Sequence, residues 1–256
     1  SWYVTSLKHN FPTLRFPPGT DHYFPGKPTG FTVKQFLDLN LPNHQVFLCY
    51  GWKSGDNTWQ GFYDTRPWGL SQQVIPVDKV YSPKSLRLYI NQTHNVPPRE
   101  GVQLPPHDKL HLFPPHAWEH IVLNDYYASI QGQAYYLMQF AERKRDQLQP
   151  NVKDIGWVCL LRTLELYGFL FETQKPEASA IVYRNYGVAL QTLLSVQQQQ
   201  ELPRVIRIVD TFTKYIEICK RDNIEIEGGE ESMVNAVNYW SNFRDSMIRM
   251  KAEKAE

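Results

Sequence analysis

Proline placement limits what this chain can fold into more than any other feature of it. Of 18 prolines, 15 fall at or before Pro115, and only Pro150, Pro176 and Pro203 lie beyond. Proline has no amide hydrogen and a fixed φ, so it is excluded from helix interiors and from central strands. The stretch before the boundary must then be loop-rich, with short elements between turns, while the stretch after it can be nearly all helix. The boundary falls near residue 115, which gives an amino-terminal region, residues 1–115, and a carboxy-terminal region, residues 116–256. At 256 residues and 42% hydrophobic composition, each region is long enough to bury a core of its own.

Within the amino-terminal region, residues 32–39 (TVKQFLDL) follow the turn signals Pro28 and Gly30 and read as a short helix. Residues 45–52 (QVFLCYGW) form a nearly continuous apolar, aromatic and β-branched run, the pattern of a strand buried on both faces. Residues 71–78 (SQQVIPVD) give a second strand. Between the two, GWKSGDNTWQGFYDTRPWGL reads as a loop too irregular for a regular element, and residues 91–115 read as a Pro- and His-rich connector.

The carboxy-terminal region reads as five helices. Pro114 and Pro115 sit where a helix can start, and AWEHIVLNDYYASIQGQAYYLMQFAERKRDQ continues at helical spacing, with Gly132 as a place for a kink. Residues 155–173 are apolar nearly all round, which predicts a central helix packed on several sides. Residues 177–199 align Val182, Tyr186, Ala189, Leu190 and Leu193 on one face. Residues 204–221 align Val205, Ile208, Val209, Phe212, Tyr215, Ile216 and Cys219, with Arg204, Arg207, Lys214 and Glu217 outward. A last helix spans 231–253. Similar lengths, short connectors and small residues such as Gly187 and Ala189 suggest a tetratricopeptide-like solenoid or an irregular bundle. The fold class is thus α+β: a small loop-rich α/β region, then an all-α region.

Charge and hydropathy exclude several functions. Lys and Arg number 27 against 26 Asp and Glu, so no basic excess is present to bind phosphate backbones, and nucleic acid is not a predicted partner. The most apolar stretch, GWVCLLRTLELYGFLF, carries Arg162 and Glu165 and is too short for a span, so no membrane span is predicted in this chain. Ser1-Trp2-Tyr3 shows no signal peptide and reads as the interior of a longer chain. Cys49, Cys159 and Cys219 lie far apart in apolar runs and read as buried free thiols.

Four motifs carry possible chemistry. His116-Ala117-Trp118-Glu119-His120 fits the H-x-x-E-H pattern, in which one helix face offers two histidines to zinc and a glutamate acts as base. The same string also reads as a plain helix start, with prolines and an acidic residue in the first turn, and no third ligand is singled out, so no metal is predicted. His107 and His111 read as solvent-facing loop. The loop holding Trp52, Asp56, Trp59, Tyr63, Asp64, Arg66 and Trp68 can be an aromatic platform with polar groups, of the kind that binds sugars, or core packing for a domain without long strands. Asn91-Gln92-Thr93 is a sequon, usable only in the secretory pathway. No nucleophile elbow, Walker or dinucleotide pattern appears, so no catalytic residue is predicted and no cofactor is assigned to this chain.

The order WY, PTGFTVKQFLDLN, VFLCYGWKSGDNTW, RPWG, VIP resembles the lumenal carboxy-terminal region of the transmembrane protein 260 family, multi-pass protein O-mannosyltransferases of the GT-C type. Trp118 and Glu119 extend the match into the helical region. The resemblance implies an endoplasmic-reticulum enzyme that takes mannose from dolichyl-phosphate mannose and places it on Ser or Thr of IPT domains in plexins and related receptors. It further implies that the chemistry lies in an amino-terminal transmembrane region, a partner for this segment, and that residues 1–115 continue a larger α/β unit. This segment would then serve acceptor recognition or scaffolding from the lumenal side. A lumenal address makes Asn91 a glycan site and permits, without requiring, a disulfide.

Overall fold

The computed structural model describes residues 2–18, 30–49, 55–101, 103, 107–114, 116–174, 178–197 and 201–253. The chain divides into two compact units, Ser1–Gly101 and Val102–Glu256.

The first unit opens with α1 (Trp2–Asn10) and α2 (Val33–Asn40). Helix α2 starts where the sequence asks for it. The Thr32 hydroxyl accepts the Gln35 amide hydrogen and the Gln35 side chain accepts that of Thr32, a reciprocal capping box. Its other end is fixed by Asn40, fully buried, whose side chain exchanges hydrogen bonds with the backbone of Arg15 at 2.9 and 2.7 Å. That pairing ties the proline-rich segment before it to the helix.

Three antiparallel strands follow: β1 (Phe47–Cys49), β2 (Tyr63–Trp68) and β3 (Ser71–Pro76), in the order β1-β3-β2. Two expectations are corrected here. The run from Gln45 is not a strand buried on both faces: β1 has three residues, lies at the sheet edge, and leaves Phe47 and Leu48 half-buried and Cys49 exposed. The segment expected to be irregular loop contains β2, which pairs with the whole of β3 from Tyr63↔Pro76 to Trp68↔Ser71. Gly69, at φ 56, takes the first position of the two-residue turn, a conformation glycine adopts without strain. Pro67 is tolerated because β2 is an edge strand.

The register sorts the side chains. Tyr63 and Thr65 share a face with Val74 and Leu48, and α2 covers it, with Val33, Leu37 and Val74 as a buried cluster. Arg66 and Trp68 share the opposite face with Gln73 and Phe47, against which packs α3 (Pro83–Gln92), a helix the sequence pattern does not announce. Ser82 caps α3, Pro83 occupies its first turn, and Leu86 and Tyr89 are fully buried.

The second unit is a helical stack: a 3₁₀ segment (His107–Leu112), then α4 (Trp118–Arg143), α5 (Ile155–Thr173), α6 (Ala180–Gln197), α7 (Leu202–Asp222) and α8 (Glu230–Glu253). Each helix packs on the next in sequence, as short connectors dictate. Helix α5 sits between α4 and α6, consistent with its all-round apolarity. The α4–α5 crossing uses Ala134 and Thr163, both fully buried. At α5–α6, Asn185 donates to the Tyr167 hydroxyl at 3.0 Å, and Phe171 meets Tyr183 and Tyr186 edgewise or tilted. At α6–α7 Gly187 lies against the ring of Phe212. On α7 the buried face includes Ile218, three residues on from Tyr215, while Ile216 is half-buried.

Candidate functional site

The loop that carries most of the predicted site residues is held to the start of α2. Asp56 is 3% exposed. One of its carboxylate oxygens accepts the Val33 amide hydrogen at 2.7 Å, and the other accepts the amide and hydroxyl hydrogens of Thr58. A helix leaves its first amide hydrogens without partners inside the helix, and a negative charge is favoured at that end. Here Asp56, the Thr32–Gln35 box and the Thr58 hydroxyl meet them, so Asp56 joins the loop to α2.

Arg66 has a comparable place on the other face. It is 3% exposed, its guanidinium lies 4.6 Å from the Tyr89 ring centre, and it donates to Gln73 at 2.8 Å and to the Ser85 hydroxyl at 3.0 Å. Tyr89 in turn donates its hydroxyl to the Pro67 carbonyl at 2.6 Å. Trp68 is half-buried between Phe47 and Tyr89. Trp59 packs with the Val33–Leu37–Val74 cluster beneath α2. The sheet thus stands between Trp59 and Trp68, and the structure does not bring them onto one surface. Asp64 is exposed, with one oxygen accepting the Thr65 amide hydrogen. Trp52 lies outside the described residues.

What the structure does assemble at this surface is a group that no sequence motif singles out. Lys34 and Asp38, one helical turn apart, form an ion pair at 2.7 Å, and the Tyr63 hydroxyl donates to the second Asp38 oxygen at 2.7 Å. The Lys34 ammonium sits 4.4 Å from the ring centre of Phe62, which is 59% exposed. Burial, then the Asp38 hydrogen bond, pushes the Tyr63 hydroxyl up to about 12. Burial acts upward on Asp38 as well, but the hydrogen bonds from Lys34 and Tyr63 outweigh it and hold the carboxyl below its usual value. The Lys-x-x-x-Asp spacing is legible in the sequence, and Tyr63 stands among the loop's aromatic candidates, but its meeting with Asp38 is not legible, because β2 itself has the look of a loop.

The His116–His120 string does not form a helical pair. Helix α4 begins at Trp118 with Ala117 as its N-cap, so His116 precedes the helix and is exposed, while His120 faces the Phe113 carbonyl at 3.2 Å. Among the described residues no group of three or more His, Cys, Asp or Glu is placed to hold a metal ion. No described helix is long and apolar enough to cross a membrane. Cys159 and Cys219 are buried, and Cys49 is exposed, because it ends an edge strand. Asn91 is exposed in the last turn of α3, and Thr93 is its C-cap.

Comparison with known sequences relates the chain to glycosyltransferases, specifically protein O-mannosyl-transferases. One curated relative is the protein O-mannosyl-transferase tmem260 of Dictyostelium discoideum, 26% identical over 138 residues, which are 54% of this chain and 16% of the relative. Another is the protein O-mannosyl-transferase TMEM260 of Mus musculus, 22% identical over 197 residues, 75% of this chain and 26% of the relative. The chain is similar to these two relatives and spans about a sixth to a quarter of their length. No family model matches it, and no solved structure matches it.

Proposed function

We propose that this chain is the lumenal portion of an endoplasmic-reticulum protein O-mannosyltransferase, recognising or positioning the acceptor while a transmembrane region performs the transfer. The donor for the whole enzyme is dolichyl-phosphate mannose, the acceptor Ser or Thr of an IPT domain, and this segment binds neither metal nor cofactor. The observation that carries the reading is the relation to two protein O-mannosyl-transferases over half to three quarters of the chain. It is supported by the commitment of Asp56 and Arg66 to internal hydrogen bonds, which suits a framework better than a reacting centre. The acceptor contact then draws on what the first unit exposes, Asp64 and Phe62 with the Lys34–Asp38–Tyr63 group, and on Trp52.

A second reading, a helical scaffold for another lumenal protein, is favoured by the start of α4. Trp118, Ile121 and Val122 lie on one helix face, 75%, 39% and 49% exposed. Site-specific photo-crosslinkers at Asp64 and at Val122 in the full-length enzyme separate the two. Acceptor adducts are expected from Asp64; adducts from Val122 alone, to a protein that is never mannosylated, would support the scaffold and contradict the acceptor role.

A further inference from the structure

We propose that Asn91 carries an N-linked oligosaccharide that is attached before α3 closes onto the sheet. The inference rests on the lumenal placement proposed above, and the sequon Asn91-Gln92-Thr93 supplies its chemistry. Transfer forms a bond between the Asn91 side-chain nitrogen and the anomeric carbon of a lipid-diphosphate oligosaccharide. The bond from that carbon to the diphosphate breaks, the lipid diphosphate leaves, and the amide gives up one proton. The transferase must read the hydroxyl of residue 93 on an extended acceptor chain.

The folded unit withdraws that hydroxyl. Thr93 is 2% exposed, its amide and its hydroxyl both donate to the Tyr89 carbonyl, at 2.9 and 2.7 Å, and Tyr89 is itself fully buried and bonded to Pro67. Asn91 and Gln92 are helical. Once α3 has docked, the sequon is out of reach, so modification belongs to the newly made chain. The product is nevertheless compatible with the fold, because Asn91 points to solvent. A helical side chain covers the surface one turn toward the N-terminus, so the first sugar lies over Leu88, three residues back and 52% exposed. The glycan thus shields an apolar side chain that the unit leaves in water.

The test uses the full-length protein made in secreting cells, analysed by peptide mass spectrometry with and without peptide-N-glycosidase. Two variants accompany it. Asn91→Gln removes the acceptor and keeps the Thr93 cap. Lys153→Thr creates a control sequon at Asn151, in the exposed connector between α4 and α5. The expected result is a glycan on Asn91, absent from Asn91→Gln, with enzymatic conversion of Asn91 to Asp. In a pulse–chase with a reversible block of oligosaccharide transfer, chains that fold during the block stay unmodified at Asn91 after its release. Glycosylation of the control at Asn151 without any at Asn91 overturns the inference and leaves the lumenal placement standing. Modification at neither overturns both, and addition to already folded chains overturns the stated order.

Discussion

Asp56 shows how a residue can look like a ligand in sequence and serve as a joint in the fold. A carboxylate among glycines and tryptophans invites a binding role, yet its oxygens are taken by Val33 and Thr58. Asp56→Ala leaves the Val33 amide hydrogen buried without a partner, and a lost hydrogen bond to a charged group costs about 2 to 3 kcal/mol. Urea unfolding should show that loss, and hydrogen exchange should quicken at the Val33 and Thr58 amides; unchanged exchange there would contradict the assignment. The Tyr63–Asp38 bond gives a pH signature. The hydroxyl's value is raised in the folded state, so its contribution is complete below the unfolded value of 10.0 and is lost as pH rises toward about 12. Asp38, lowered, adds stability that is present above its unfolded value of 3.8 and lost as pH falls below it. Urea midpoints of wild type and Tyr63→Phe should therefore differ at neutral pH and converge in strong alkali. A constant gap would mean the hydrogen bond contributes nothing.

At the scale of elements, glycines mark the helix contacts and give predictions of opposite sign. In a helix interior Gly→Ala gains up to about 1 kcal/mol of intrinsic propensity. At Gly187 a new Cβ would stand 2.5 Å from the ring of Phe212, which is 2% exposed and has no room to retreat, so overpacking outweighs that gain. Gly187→Ala should destabilise the second unit by about 1 to 2 kcal/mol, net. At Gly168 the nearest atom is the Tyr186 hydroxyl oxygen at 3.4 Å, and Gly168→Ala should stabilise by about 0.5 to 1 kcal/mol. Thermal melts of the two variants decide it; shifts of the same sign would refute the packing account. The helices of the second unit are legible in the sequence because their apolar periodicity is long: α5 spans the residues its pattern predicts, and α7 differs by two residues at its start and one at its end. Of the strands, β3 lies within its predicted residues 71–78, and β2 is not legible. β2 alternates Tyr, Asp, Thr, Arg, Pro and Trp, and its inward-facing Arg66 is buried only because Tyr89, Gln73 and Ser85 arrive from β3 and α3. No local pattern announces a strand whose buried face includes a cation satisfied by distant partners.

At the scale of the molecule, the first compact unit, Ser1–Gly101, is built of short helices and strands, and the second, Val102–Glu256, is a helical stack. The candidate site is legible in the sequence as a region and not as a constellation. Ordered motifs name the loop, but the sheet that separates Trp59 from Trp68 is a tertiary fact, as is the meeting of Lys34, Asp38 and Tyr63. On the proposed division of labour, this segment chooses the acceptor and leaves the chemistry to the rest of the enzyme. The decisive measurement is mannose transfer from dolichyl-phosphate mannose by full-length enzyme with and without the segment, onto a folded IPT domain and onto a short Ser/Thr peptide. Removal should raise KM for the folded domain about tenfold or more, the equivalent of ~1.4 kcal/mol of lost binding, and leave turnover of the peptide intact. Unchanged kinetics on the folded domain, or loss of peptide turnover, would contradict it.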